Sequence, residues 1–301
     1  MKIGLIGLGR MGSNLVFNAL DNGQEIVVYN RSLEKAIDVV EKGAIAADSI
    51  NDLIKKLPER KVIWLMVTAG KAVDTLIETI LPFLNTNDIL IDGGNSNYAD
   101  SIERARLCAG KGVLFLDIGT SGGLAGARNG ACMMAGGARE AYNFIEPFIK
   151  VVCVENGYGY VGKSGAGHFV KMVHNGIEYG MMESFAEGLE LLKGREEFAI
   201  DIAKVTELWR HGSVVRSWLL DLTAEALQSD QNLDEIAPFV ADSGEGRWTA
   251  VEAIEQGIPA PVLTQALQVR FRSQEKSKGY GYKVLSIMRN AFGGHIMKNK
   301  G

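Results

Sequence analysis

Cysteine and histidine are scarce in this chain of 301 residues, at three and four respectively. Cys108, Cys132 and Cys153 are odd in number and far apart, so they make neither a disulfide framework nor a zinc pattern. They fit a reducing compartment, and a cytoplasmic location is the expectation. The histidines do not fall at metal-ligand spacing, so no metal site is expected. An excess of either charge is also missing. Lys and Arg number 32 against 36 Asp and Glu, a net charge of -4, and no basic patch stands out, which argues against a nucleic-acid partner. Long apolar runs are absent too. The longest, Val62 to Val67, is far short of the roughly 20 residues of a membrane span, and no membrane association is expected. The chain enters a strand and a glycine turn at once, with no secretory leader pattern. What is plentiful is glycine, 36 residues clustered in turns rather than in a low-complexity tract. With 47% hydrophobic and 23% charged residues, the composition is globular, and the length allows one large or two medium domains.

Lys2 to Ile6 reads as a short buried strand. It runs into Gly7-Leu8-Gly9-Arg10-Met11-Gly12, then a helical pattern through Leu15, Val16, Ala19 and Leu20. Strand, G-x-G-x-x-G and helix, in that order, form a dinucleotide fingerprint. The first glycine permits the tight turn, the second lets a pyrophosphate approach the backbone, and the third lets helix and strand pack closely. The free N–H groups and dipole of the helix start attract the phosphates. The next strand, Glu25 to Tyr29, ends in Asn30-Arg31-Ser32. An NAD-binding fold usually carries an acid here for the ribose 2′-hydroxyl, and there is none. Arg31 can stack on adenine and pair with a 2′-phosphate that Asn30 and Ser32 hydrogen-bond, so NADP is favoured over NAD. Arg31 can equally be a surface arginine with Ser32 as the N-cap of a helix, and the two readings are compatible.

Strand and helix patterns then alternate. Ile63 to Val67 is a strand, followed by Thr68-Ala69-Gly70 and a helix near Val73 to Leu81. Ile89 to Ile91 ends in Asp92-Gly93-Gly94-Asn95-Ser96, and Val113 to Leu116 leads to Asp117 and Gly119-Thr120-Ser121-Gly122-Gly123. Met133-Met134 and Val151 to Val154 read as the last strands. The alternation implies a Rossmann-type doubly wound α/β sheet, whose ligands bind beyond the carboxyl ends of its strands. Asn95 and the Ser121-Gly122-Gly123 turn lie at such ends. One such turn would be read as backbone shape alone, but several on one edge point to a site.

After Gly162 the period changes, and an all-α domain is expected over 164–301, with the dinucleotide-binding domain over 1–163. Helices are expected at Gly165 to Leu192, then near Asp201 to Arg210, Ser217 to Gln228, Thr249 to Gln256 and Pro261 to Ser273. The stretch Gly165 to Tyr179, GAGHFVKMVHNGIEY, places Lys171, His174, Asn175 and Glu178 at i, i+3, i+4 and i+7, on one helix face. Phe169, Val170, Met172, Val173 and Ile177 fall mostly on the other sides and can bury. Such a stripe ordinarily faces water. The small Gly165-Ala166-Gly167 lead-in favours close approach to another backbone or a ligand, and an ammonium with a carboxylate suits proton transfer. Arg270 on a helix, and Arg289 six residues before His295, could meet an anion. On composition alone, the Arg289 to His295 segment reads as a solvated tail.

Together these segments resemble the decarboxylating 6-phosphogluconate dehydrogenases, in the short form that lacks a second helical repeat, within the β-hydroxyacid dehydrogenases. The resemblance rests on Gly7 to Gly12, Asn30-Arg31-Ser32, Asp92 to Ser96, Ser121-Gly122-Gly123, the 165–179 stretch, Gly246-Arg247-Trp248-Thr249 and the Arg289 to His295 tail. It implies oxidation and decarboxylation of 6-phosphogluconate to ribulose 5-phosphate with NADP or NAD, in the pentose phosphate pathway or gluconate utilisation, without a metal. It places cofactor contacts at Gly7, Leu8, Gly9, Arg10, Met11, Gly12, Asn30, Arg31, Ser32, Val67, Thr68, Ala69 and Asn95. It makes Lys171 the base, which requires a lowered lysine pKa, and Glu178 the acid. Asn95, Ser121, Gly122, Gly123, His174 and Asn175 would bind the sugar acid, and Tyr179, Arg270 and Arg289 its phosphate. It further implies a homodimer or homotetramer in which the tail, with Arg289 and His295, completes a neighbour's site. The long-form pattern has Lys and Thr where this chain has Ser243 and Glu245, and Lys where it has Arg247, which puts a phosphate contact in doubt and leaves Arg247 or Arg272 to compensate. Competing readings are a dehydrogenase of a small unphosphorylated acid, of 3-hydroxyisobutyrate or tartronate semialdehyde type, and a non-catalytic NADP sensor.

Overall fold

In the computed structural model, which describes residues 1–275 and 279–298, the runs Ile3–Ile6, Val62–Leu65 and Ile89–Ile91 are buried throughout. Such unbroken burial is the mark of strands covered on both faces. The eight strands are β1 Lys2–Ile6, β2 Glu25–Tyr29, β3 Ile45–Ala46, β4 Val62–Leu65, β5 Ile89–Asp92, β6 Leu114–Ser121, β7 Ala131–Gly137 and β8 Cys153–Gly162. They form one sheet in the order β3-β2-β1-β4-β5-β6-β7-β8. All pairs are parallel except β6 with β7. The order turns back on either side of β1, so the switch point of the doubly wound sheet lies between β1 and β4.

Helices in the first half are α1 Arg10–Asp21, α2 Ile37–Glu41, α3 Ile50–Lys55, α4 Lys71–Ile80, α5 Tyr98–Ala109, α6 Gly123–Asn129 and α7 Arg139–Val152. The two-residue period of the strands divides the core. Ile3, Leu5, Trp64, Ile89 and Ile91 pack with α1 and α7 on one face. Ile63, Leu65, Leu90 and Phe115 pack with α3, α4 and Cys108 of α5 on the other.

Several boundaries differ from the sequence expectation. β4 stops at Leu65, leaving Met66 and Val67 in the loop that follows. β6 continues through Gly119 and Thr120 to Ser121, because antiparallel pairing with Thr120↔Met133 and Ser121↔Cys132 holds those residues extended. The strand expected at Val151 to Val154 begins at Cys153, since Val152 completes the buried face of α7 with Ile145, Phe148 and Ile149. Apolar β-branched pairs fit either element, and the helical period prevails.

The remaining helices are α8 Ala166–Lys193, α9 Ile202–Arg210, α10 Trp218–Ser229, α11 Glu245–Glu255, α12 Pro261–Ser273 and α13 Tyr280–Gly293. Asp201 and Ser217, expected as first residues of helices, are N-caps that accept from Lys204 N and Leu220 N. Compactness divides the chain into Met1–Lys171 and Met172–Gly301, within the length of α8. In the second unit Met182, Ala186 and Leu189 of α8 pack with Leu227 of α10 and with Val284, Leu285 and Met288 of α13. The segment around Arg289 is therefore a buried helix rather than a loose tail, a correction to the reading from composition. No helix among the described residues is long and apolar enough to cross a membrane.

Candidate active site

The glycine loop after β1 has the shape its spacing implies. Gly7 has φ 106°, and a Cβ there would strike the Met66 carbonyl. A Cβ on Gly12 would strike the Gly7 carbonyl, so the helix start lies directly on the turn. At Gly9 a Cβ would meet nothing within 4 Å, and Gly9, as N-cap of α1, has no side chain to cap the helix start. Open space at a helix N-terminus suits a pyrophosphate. The loop is tied to β2 by Asn30, whose Oδ1 accepts from Leu8 N at 2.9 Å while its Nδ2 donates to Ser32 O at 2.9 Å. The Asn30 carboxamide thus shapes the loop. Ser32 forms no capping bond with its side chain, and Arg31 and Ser32 are both exposed. The residues present fit a dinucleotide.

Contacts lead from this loop along the carboxyl edge of the sheet. A Cβ on Gly7 would lie 2.9 Å from Val67 Cγ1, and one on Gly94 would lie 2.9 Å from the Val67 carbonyl. Thr68 and Ala69 follow Val67 in the same loop. The Asp92 to Ser96 turn is fixed from beneath. Asp92 is fully buried and accepts from Ser96 Oγ at 2.7 Å, Gly94 N at 3.1 Å and Arg104 Nη1 at 3.0 Å. Asn95 is thereby held over β6, where its Oδ1 accepts from Thr120 N at 3.2 Å. Gly119, one residue earlier, has no room for a Cβ because the Lys171 Cβ occupies that place. The first unit on its own gathers Asn95, the end of β6 and Lys171. Ser121 ends β6, Gly122 takes the left-handed φ of 111°, and Gly123 opens α6.

Lys171 is only 5% exposed, which removes the solvated-face reading for the key member of the stripe. The stripe's expected apolar flank is only partly buried. Met172 is 2% exposed, but Ile177 is 51% exposed, as is Met181 one turn on at 41%. His174 Nδ1 lies 3.1 Å from Asn175 Oδ1 and 4.0 Å from Glu178 Oε2.

The second unit holds a cluster around Tyr179. The Arg270 guanidinium lies 3.2 Å over the Tyr179 ring, and its Nη2 is 3.5 Å from Met182 Sδ. Arg270 is 1% and Arg289 5% exposed, and neither has a carboxylate within 4.0 Å among the described residues. Burial pulls the Arg270 guanidinium down to about 10, helped by the like charge of Arg289. Burial lowers Arg289 as well, while Tyr179, Glu245, Glu178 and Asp242 act in the opposite sense. Within a single chain, then, Arg289 already shares the field of Arg270. Two buried guanidinia without a close carboxylate among the described residues suit a multiply charged anion. The Tyr179 hydroxyl donates to Asp242 Oδ1 at 3.1 Å and lies 3.3 Å from Ser243 Oγ.

The Gly246 to Thr249 motif has a packing reason. A Cβ on Gly246 would strike the Tyr179 ring, and Thr249 Oγ1 donates to Met172 O at 2.9 Å. Arg247 donates to Asp242 and covers Phe271 at 4.7 Å. Burial acts to raise the Asp242 carboxyl, but Arg247, Gly244 N and the Tyr179 hydroxyl outweigh it and hold the group below its ordinary value. Glu245, which the resemblance marked as a departure, has Oε2 buried without a hydrogen-bond partner among the described residues. His295 is half-buried, edge-on to Phe292 at 6.0 Å, and its carbonyl accepts from Asn290 Nδ2 at 2.9 Å. Sequence reasoning missed Asp92, Arg104, Asp117 and His168 as buried groups that shape the site. Arg104, Asp117 and His168 have partners at least 30 residues away, whereas Asp92 is bonded within its own turn and to Arg104, 12 residues on.

Two family profiles cover this chain. One, described as the NAD binding domain of 6-phosphogluconate dehydrogenase, matches residues 2–162, and one described as the 6-phosphogluconate dehydrogenase C-terminal domain matches residues 167–297. The chain belongs to the 6-phosphogluconate dehydrogenase family. A Haloferax volcanii family member, the NAD(+)-dependent decarboxylating 6-phosphogluconate dehydrogenase, is 41% identical over 303 residues, covering 100% of this chain and 99% of its own. The Plasmodium falciparum 6-phosphogluconate dehydrogenase, solved with NADP+ and with 6-phosphogluconate, superposes with a TM-score of 0.84 at 35% identity. It covers 92% of this chain, which spans 62% of that longer one. A Mycobacterium tuberculosis 3-hydroxyisobutyrate dehydrogenase is similar in fold (TM-score 0.75, 96% and 99% coverage) but only 18% identical.

Proposed function

We propose that this chain oxidises and decarboxylates 6-phosphogluconate to ribulose 5-phosphate and carbon dioxide, reducing NADP or NAD. The observation that carries the substrate is the pair of buried guanidinia beside Tyr179, Arg270 and Arg289, with no carboxylate within 4.0 Å of either among the described residues. A small unphosphorylated hydroxy acid offers such a pair only its single carboxylate charge, whereas a phosphate brings up to two more. Residues 1–163 would hold the dinucleotide and 164–301 the substrate and subunit contacts. The glycine loop, with Val67 to Ala69 and Asn95, would seat the dinucleotide, which supplies the hydride acceptor when bound. Arg31, exposed at the end of β2, supports NADP, while Asn30 is already engaged with the loop.

Lys171, as a neutral amine, takes the proton of the 3-hydroxyl as hydride leaves C3. The resulting 3-keto acid loses carbon dioxide from C1, and the bonding electrons move toward the carbonyl. Lys171, now an ammonium, hydrogen-bonds that developing oxyanion. Glu178, seven residues further along the sequence of α8, as a protonated acid delivers a proton to the enediol carbon that becomes C1 of the product. Asn95, Ser121, Gly122, Gly123, His174 and Asn175 hold the sugar chain, and Tyr179, Arg270 and Arg289 its phosphate. We also infer a homo-oligomer whose C-terminal tail, through His295, completes a neighbour's site. Exposed apolar side chains such as Ile177, Met181, Ile254 and Val262 in the second unit support association.

The test compares kcat/KM for 6-phosphogluconate, gluconate and 3-hydroxyisobutyrate in the wild type, and turnover in Lys171→Met. The phosphorylated acid should win by about 100-fold or more, and Lys171→Met should bind dinucleotide yet turn over roughly a thousandfold more slowly. Equal use of gluconate would remove the phosphate reading. Normal turnover in Lys171→Met would remove the base.

A further inference from the structure

A lysine that takes a proton must be held at a fixed place on its helix. We propose that Asp117 and His168 are positioning residues that set Lys171 for proton abstraction, an inference that rests on Lys171 being the base.

α8 opens on Gly165 and Ala166, so the N–H groups of its first turn need acceptors from elsewhere. Asp117, in the middle of β6 and fully buried, provides them. Its Oδ1 accepts from Gly165 N at 2.8 Å and its Oδ2 from His168 N at 2.9 Å. One carboxylate thus clamps both ends of the helix's first turn, and its charge suits the positive end of the dipole. Burial raises the Asp117 carboxyl above its ordinary value, while the charge of His168 and the N–H groups of His168 and Gly165 oppose the rise.

His168 closes the other side. It is 1% exposed, and its Nδ1 lies 2.7 Å from Ser101 Oγ on α5. Its Nε2 is buried and has no hydrogen-bond partner among the described residues. A side chain that only filled space at this position would be apolar, because a buried ring nitrogen without a partner costs stability. The polar ring is used through one nitrogen, toward α5.

Backbone contacts complete the seat. A Cβ on Gly167 would strike the Asp117 carbonyl and lie 2.6 Å from the Met134 carbonyl, so the helix rests on β6 and β7 without intervening side chains. Gly119 shares the sheet face of Asp117 two residues on and receives the Lys171 Cβ. Lys171 stands three residues after His168, less than one turn along the helix. Rotation or sliding of the first turn would move the amine directly. Placement errors of about 1 Å in a reacting group cost roughly 100-fold in rate.

The experiment uses the full chain and reads kcat, both KM values and dinucleotide affinity for Asp117→Asn, His168→Leu, His168→Asn and Ser101→Ala, with Lys171→Met as reference. Asp117→Asn should lower kcat about 50-fold or more while each KM and the dinucleotide Kd stay within about threefold. His168→Leu should lose kcat by about tenfold or more, whereas His168→Asn, whose amide can still meet Ser101 from the place of Nδ1, should recover most of it. Ser101→Ala should follow His168→Leu. A space-filling histidine predicts the reverse order, with Leu tolerated and Asn harmful, and that order would overturn the inference even if Asp117→Asn fails to fold. Wild-type kcat in His168→Leu with an inactive Lys171→Met would sink this inference alone. An active Lys171→Met would sink the base assignment and this inference with it.

Discussion

Replacing Arg270 by Met should weaken substrate binding and, without substrate, leave the fold as stable as before or more so. The guanidinium is 1% exposed and lies against the Tyr179 ring at 3.2 Å and the Met182 sulfur at 3.5 Å. Its burial, which pulls the group down to about 10, corresponds to about 3 kcal/mol against the charged form. For a base lowered in this way the cost is present at every pH below about 10 and is relieved only above it, so it acts in full at neutral pH. Methionine keeps the unbranched stem and removes the charge, and apolar replacement of a buried charge is often neutral or stabilising. A phosphate would lose a desolvated charge-assisted partner, worth about 2 to 4 kcal/mol, or about 30- to 900-fold in KM. The assay is initial rates against 6-phosphogluconate, with thermal unfolding of the ligand-free protein. KM should rise within that range, kcat should stay within about fivefold, and Tm should hold or increase. Unchanged KM with a lowered Tm would mean that Arg270 merely packs on Tyr179, and the reasoning would fail.

Gly9 and Gly12 should respond in opposite ways. Gly9→Val fills open space at the start of α1, so dinucleotide KM should rise about tenfold or more with little change in Tm, whereas Gly12→Ala drives a Cβ onto the Gly7 carbonyl and should lower stability by about 1 to 3 kcal/mol. Glu183, 9% exposed with Oε2 unpartnered among the described residues, has its carboxyl pushed up to about 7 by burial and by Glu187. An acid raised on folding binds its proton more tightly in the native state, so its contribution worsens as pH climbs from about 4.5 to about 7. Glu183→Gln should therefore raise stability by about 2 kcal/mol at pH 8 and change little at pH 4.5, measured by denaturant unfolding. An equal effect at both pH values would contradict this.

The parts of the fold read from sequence were those whose cause is local. The glycine loop after β1, the unbroken apolar strands and the helix starts near Asp201 and Ser217 need only neighbours in the chain. Val151 and Val152 were misread because two valines fit a strand or a buried helix face equally, and only the packing of α7 decides. In the site, Lys171 and Glu178 were visible as a stripe, but whether it faced water depended on Gly119, 52 residues earlier in the chain. The Asp117 cap spans 48 residues to Gly165 and leaves no periodic trace. Arg289 looked like part of a tail because it lies near the C-terminus, and the burial of Val284, Leu285, Met288 and Arg289 in α13 depends on partners in α8 and α10 far away in the chain.

The most direct measurement is to incubate the purified protein with 6-phosphogluconate and NADP or NAD, follow nicotinamide absorbance, and trap carbon dioxide in the same reaction. The account predicts reduced nicotinamide and carbon dioxide in equal amounts, with ribulose 5-phosphate as the sugar product. Reduction without carbon dioxide, or no reduction with either cofactor, would contradict it.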